Sequence, residues 1–444
     1  MKALHYASLL EVSELLRTRQ VSSLELTEAM LERIEALNPK LGAYYTVFVD
    51  AARADAARAD AQPWRGVLHG MPIAFKDLFN LGPTTAGSRL LAANVATTEA
   101  ALVTTARQAG AVVLGKLATH EFALAAASLS DHFPPARNPY DPERTPGGSS
   151  TGAGTALAAG MAFGAFGTDT GGSVRLPAAY SGVVGYKPTY GLLSMDGVIP
   201  LAPSLDHAGP MARTVNDAAA LIGLTATGTL RGLRVGVPRD FWQETCAAPV
   251  RELVDAAIDA IAAEGAEVED VHLGLSVLQV MAVGYLITLP EAAAHHLPTL
   301  RSGRPGYGHE FGLVLRTGAL LPAYAYVDAQ RARATITRRV DELLNDHDVL
   351  VMPTVGAVAD PIPPHPRPLS RRITQEPTPQ YTWLANLHGG PAISVPCGLT
   401  ASGLPAGLQL LGRRGDDATV LRAAGGYETV SAWRRAGAHP PLWP

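Results

Sequence analysis

The 45 residues from Gly147 to Gly191 constrain this chain more than any other stretch. Twelve of them are glycine, against 44 glycines in all 444 residues. Between Thr145 and Tyr186 only Asp169 and Arg175 carry a formal charge. A flexible glycine-rich linker would be polar. This stretch is apolar, so it belongs in an interior where backbone comes close to backbone or to a ligand. Two serine-bearing turns, Gly147-Gly148-Ser149-Ser150 and Thr170-Gly171-Gly172-Ser173, bracket a run of small apolar residues. The pattern predicts loop, helix, strand, loop, with the hydroxyls of both turns returned to one place.

Around that stretch the chain reads as α/β. Helices are predicted at 8–17, 23–37, 50–61, 248–263, 322–345 and 416–430, with a short one at 119–124. Ser22 to Glu25 has capping-box spacing, and Asn38-Pro39 is expected to stop the second helix. Strands are predicted at 70–77, 111–114, 233–237, 268–271, 348–352, 392–396 and 407–411. Strands alternating with helices predict a mixed central β-sheet covered by helices on both faces. No polar, low-complexity linker divides the chain, so one large domain is expected over 1–444. Its core is placed at about 65–215 and a more variable elaboration at about 230–380.

Bulk properties exclude several classes. Net charge is −4 and the pI about 6.4, which gives no electrostatic case for a nucleic-acid partner. Two cysteines, Cys246 and Cys397, are too few for a disulfide framework and are expected to be reduced. The sequence reads as holding neither an apolar leader segment nor a run of about 18 apolar residues, so a cytoplasmic protein without a membrane partner is expected.

Metal and phosphate motifs are incomplete. His120-Glu121 and His309-Glu310 begin like zinc-protease helices, but Leu124 and Leu313 stand where the second histidine is needed. Ala153 stands where a phosphate loop needs lysine. No metal and no cofactor are therefore expected. Gly148 to Gly152 matches the G-x-S-x-G nucleophile elbow, which would make Ser150 the nucleophile. That elbow needs a strand directly before it, and three prolines between Asn138 and Pro146 forbid one. Ser173 is the better nucleophile. It follows Gly171-Gly172, where the N–H groups from Thr170 to Ser173 can converge on a developing oxyanion. Asp169 is expected to cap or to pair with Arg175. Lys76 ends a short apolar strand, and read alone it is a solvated strand end.

Taken together, TPGGSS and GTDTGGSVRLPAAYSGVVGYKPTYG resemble the signature region of the amidase signature family of serine hydrolases. LHGMPIAFKD is similar to the family's block around its catalytic lysine, and the segments from Leu205 to Thr214 and from Gly389 to Leu410 resemble family blocks as well. The resemblance implies the amidase signature fold and a Ser–cis-Ser–Lys triad. In it Ser173 is the nucleophile, Ser149 the bridging serine with a cis peptide bond, and Lys76 the base. The N–H groups of Thr170, Gly171, Gly172 and Ser173 are the implied oxyanion hole. The implied activity is hydrolysis of a carboxylic amide through an acyl-enzyme. The alternatives are a glutaminase subunit of a tRNA-dependent amidotransferase, or a carbamate, urea-like or ester hydrolase with the same triad. The expected partner is a small-molecule amide, with a homodimer possible. Thr151 and Ala153 depart from the family's usual Gly and Ser after the bridging serine.

A lysine base must be neutral, and burial in this uncharged surrounding lowers its pKa. Neighbours along a strand point to opposite faces, so Asp77 need not pair with Lys76. Pocket walls are expected from 125–133, 288–291, 307–315 and 380–387. Asp196 and His207 are expected to be structural, and Arg367–Arg372 a solvated loop.

Overall fold

The strand Pro72–Lys76 (β2) is buried at all five positions, and so is Gly164–Asp169 (β4) beside it. Strands with no exposed side are covered on both faces. The computed structural model describes residues 4–124, 133–362, 380–433, 440 and 443. Among the described residues, these two strands belong to an eleven-stranded mixed sheet. The others are Tyr44–Val47 (β1), Val112–Leu117 (β3), Val184–Lys187 (β5), His207–Ala212 (β6), Arg234–Val237 (β7), Glu267–Asp270 (β8), Val349–Pro353 (β9), Ala392–Leu399 (β10) and Pro405–Gly412 (β11). Their order is β1-β3-β2-β4-β6-β5-β10-β11-β9-β7-β8. One apolar cluster runs from Leu9 to Tyr427 and packs the flanking helices onto this sheet.

The order of strands locates a crevice. β2 is parallel to both β3 and β4, while β4 is antiparallel to β6. The chain leaves β2 for β3 on one side, and leaves β4 for β5 on the other. Connections that part in this way open a crevice beyond the carboxyl ends of the adjacent parallel strands. Lys76 ends β2 and Asp169 ends β4.

Several elements differ from expectation. The helix Ser23–Leu41 runs past Asn38-Pro39. Pro39 lies in its last turn, where it removes one N–H from the helix only two residues before its end, and Gly42 at φ 61° caps it. The short helix expected at 119–124 is a single tight turn, Glu121–Ala123, with Phe122 and Ala123 at positive φ. Two helices, Val277–Ser302 and His309–Leu320, were not predicted. Pro290 and Pro298 interrupt the first in sequence yet are carried inside it. By length and composition that helix could cross a membrane, contrary to the expected absence of such a run. In this fold it packs against His309–Leu320 and Ala323–Asp346.

Candidate active site

The first serine turn is built on two left-handed glycines, Gly147 at φ 76° and Gly148 at φ 57°. A Cβ on Gly147 would lie 2.2 Å from the Tyr180 ring, and one on Gly148 would lie 2.5 Å from Pro177 Cδ. Only glycine suits such a turn. It delivers Ser149 Oγ to within 2.7 Å of Lys76 Nζ, with both side chains fully buried. The described residues contain no cis peptide bond, so the cis bond expected at Ser149 is not observed. The double-glycine turn brings the hydroxyl to the lysine with a trans bond. Thr151 opens the helix Thr151–Ala158 and donates to the Ala118 carbonyl at 3.3 Å, while Ala153 is fully buried in the same helix. The Lys76–Ser149 contact forms beside both departures.

Lys76 Nζ also contacts Thr168 Oγ1 at 2.8 Å. No carboxylate pairs with it among the described residues. Asp77, one residue on, pairs instead with Lys116 at 3.2 Å, as the strand alternation predicts. Burial pushes Lys76 down to about 7, while the more distant Asp169 and Asp206 pull it back up. Near neutral pH much of this lysine is therefore unprotonated, and its lone pair can accept a proton from Ser149.

The second serine turn lies against the first. A Cβ on Gly148 would stand 3.2 Å from Ser173 Cα, and Ser150 N–H donates to the Ser173 carbonyl at 3.2 Å. Asp169 organises this turn. Its carboxylate accepts from the N–H groups of Gly172 at 2.8 Å and Val174 at 3.2 Å. Burial alone would raise the pKa of Asp169, but the Arg175 guanidinium and the Asn386 amide outweigh it and hold the carboxyl below the ordinary range. Arg175 is fully buried. It pairs with Asp169 at 2.8 Å and reaches the Thr382 carbonyl, Gln409 and Asn386 at 2.9, 2.6 and 2.6 Å.

This arrangement changes the expected oxyanion hole. The Gly172 N–H is committed to Asp169, so it is not a free donor. The N–H groups of Thr170, Gly171 and Ser173 have no intramolecular acceptor among the described residues. Ser173 itself is partly exposed. Ser150 is fully buried, donates to the Thr168 carbonyl at 3.2 Å and accepts from the Thr168 N–H at 3.3 Å. Its hydroxyl ties the two turns to β4 and is not presented to a substrate.

Sequence reading did not single out Thr168, Asp206 or Gln409, and it placed Thr382 and Asn386 only within an expected pocket wall. Asp206 accepts from the Thr170 hydroxyl at 2.6 Å and from the Leu201 N–H at 2.9 Å. Thr382 donates to the Gly171 carbonyl at 2.7 Å. His207 is buried with Nδ1 2.6 Å from the Leu205 carbonyl, and Asp196 is exposed. Of the expected pocket walls, 380–387 reaches the second serine turn through Thr382 and Asn386, and Glu291 of 288–291 binds Ser204. Residues 125–132 and Arg367–Arg372 lie outside the described residues.

The chain resembles known proteins over most of its length. A family model described as Amidase matches residues 25–228 and 224–421. A glutamyl-tRNA(Gln) amidotransferase subunit from Roseiflexus sp. (strain RS-1) is 37% identical over 487 aligned positions, covering 98% of each chain. A solved structure described as an amidase is 33% identical with a TM-score of 0.87, covering 96% of this chain and 100% of that one. The corresponding glutamyl-tRNA(Gln) amidotransferase subunit from Thermotoga maritima is 32% identical with a TM-score of 0.82, covering 99% of this chain and 98% of that one. These relatives correct one expectation. The slight negative charge gives no case for nucleic acid and the family resemblance implies a small-molecule amide, yet proteins alike over the whole chain are named as one component of an enzyme with a charged tRNA in its name. Net charge on one chain does not report on what an assembly of chains binds.

Proposed function

The chain belongs to the amidase family, whose members act on C–N amide bonds, and from that premise we propose that Ser173 is its nucleophile, Ser149 its proton relay and Lys76 its base. Ser173 Oγ attacks the amide carbonyl carbon. Its proton passes to Ser149 Oγ, and the Ser149 proton passes to Lys76 Nζ. The carbonyl oxygen, now an oxyanion, is received by the N–H groups of Thr170, Gly171 and Ser173. When the C–N bond breaks, the proton returns through Ser149 to the leaving amine. Water then cleaves the ester of Ser173 by the same relay, giving a carboxylate. The observation that carries this reading is Lys76: fully buried, bonded to Ser149 at 2.7 Å, and with no carboxylate on it among the described residues. A lysine desolvated in this way serves as a base at neutral pH.

The pH profile follows. Below about 7 the proton on Lys76 blocks the relay, so kcat/KM should rise about tenfold per pH unit up to about 7 and level off above it. Burial holds His388 at about 4, so it stays neutral across that range and adds no limb there. A rate that does not change between pH 5 and 8 would count against Lys76 as the base.

A second reading is supported by the relatives. Proteins 36–40% identical to this chain are named as subunits of glutamyl-tRNA(Gln) amidotransferase. In that reading the same acyl-enzyme chemistry releases ammonia from an amide for use by a partner. The two are separated by ammonia and amine release from a panel of aliphatic, aryl and amino-acid amides, with glutamine included. We expect turnover of at least one amide by the isolated chain. Release that requires a co-purifying protein and is confined to glutamine would establish the second reading.

A further inference from the structure

The peptide joining Gly171 and Gly172 is held at both ends. Its carbonyl accepts from Thr382 Oγ1 at 2.7 Å, and its N–H donates to Asp169 at 2.8 Å. A planar peptide pinned at both ends cannot rotate. The preceding peptide carries the Gly171 N–H and has no backbone hydrogen bond of its own among the described residues. It is confined instead by a ring. A Cβ on Gly171 would lie 2.4 Å from Trp383 Cζ2, so the indole edge rests on that glycine. The opposite edge of the same indole rests on Gly284 in the helix Val277–Ser302, where a Cβ would lie 2.3 Å from Cε3. The ring is buried, its Nε1 donates to Gln380 at 3.1 Å, and Tyr285 packs on it at 5.1 Å between centroids. Two glycines, 113 positions apart, thus leave a slot the width of one indole.

We propose that Trp383 is a positioning residue of the reaction: gripped between Gly171 and Gly284, it holds the Gly171 N–H on the developing oxyanion and ties the nucleophile turn to helix 277–302. This rests on the acyl-enzyme reading above. Without the ring, the 170–171 peptide gains room to turn, and one oxyanion donor is lost in the transition state while ground-state contacts remain. Loss of one such donor lowers kcat by about 10²- to 10³-fold. An interaction made only in the transition state lowers kcat and leaves KM alone.

The test measures kcat and KM separately for Trp383→Ala, Trp383→Phe and Gly284→Ala, on an amide that the wild type hydrolyses. Trp383→Ala should lower kcat about 10²-fold with KM within about threefold, and Trp383→Phe should recover most of the loss. Gly284→Ala touches no part of the nucleophile turn but pushes the ring toward Gly171, and it should lower kcat about tenfold. Binding of a boronic acid, which forms a tetrahedral adduct on serine, should weaken in parallel with kcat. If Trp383→Ala does not fold, the Phe and Gly284 variants decide the matter. A raised KM with unchanged kcat would make the ring a substrate wall and overturn the proposal, as would full kcat in both folded variants. Failure of the underlying reading shows separately, as activity that survives Ser173→Ala.

Discussion

Lys76→Ala and Ser173→Ala should each lower kcat/KM for the best amide by at least about 10⁴-fold. Residues that act as one relay are not additive, so the double variant should be no worse than either single one. Lys76→Arg should not rescue activity. A guanidinium stays charged at every working pH, and it cannot accept the proton that Ser149 passes on. The loss should be one of chemistry and not of folding. Lys76→Met leaves the Ser149 and Thr168 hydroxyls without their buried partner, which costs about 1–3 kcal/mol each. It also removes an ammonium-forming group from a fully buried place, an offsetting gain. Its melting temperature should therefore stay within a few degrees of wild type while turnover disappears. A fluorophosphonate gives a second readout: Ser173→Ala should not label, and Lys76→Ala should label slowly. Full activity in Ser173→Ala would remove the nucleophile assignment outright, because the Ser150 hydroxyl is already bonded on both sides to Thr168.

Arg175→Met should be the most damaging change to stability. It leaves the Asp169 carboxylate buried without its cation, at a cost of about 3–5 kcal/mol, read as a fall in the urea midpoint. Arg175→Lys should recover little. Arg175 serves Asp169, Asn386, Gln409 and the Thr382 carbonyl together, and an ammonium has three donors and no planar fork. Asp169→Asn combined with Arg175→Met removes both charges and should regain part of the stability, since a buried pair replaced as a unit is often nearly neutral. Activity should stay low in the double variant, because the Gly172 and Val174 N–H groups lose the acceptor that shapes the nucleophile turn. A midpoint unchanged in Arg175→Met would show that water reaches Asp169.

The proposed triad could be picked out because its signals are local. Gly-Gly before each serine, and a lysine at the end of an apolar strand, are patterns within a few residues, and resemblance to the family joined them. The pairing of Asp169 with Arg175 was legible for the same reason. What the sequence hid lies far along the chain. Thr382 and Asn386 were expected only as part of a pocket wall and Gln409 only as part of a family-like block, and the pairing of β10 with β5 and β11 brings their region to the second serine turn. The role of Gly172 was misjudged because four consecutive N–H groups look equivalent in sequence, whereas a carboxylate three residues back selects one of them. Helix 277–302 was hidden by prolines that usually end helices.

The clamp on Asp169 and Arg175 spans the chain. Arg175 meets Thr382, Asn386 and Gln409 across 207, 211 and 234 positions of sequence. Contacts between such remote segments are late to form, because the loop between them must close first. A polypeptide made only as far as β6 would own all three side chains of the proposed triad and still lack the partners that set the second serine turn. Competence should thus arrive last during refolding, after most secondary structure has returned. Regain of labelling by a serine-directed probe would lag behind regain of the far-ultraviolet circular dichroism signal.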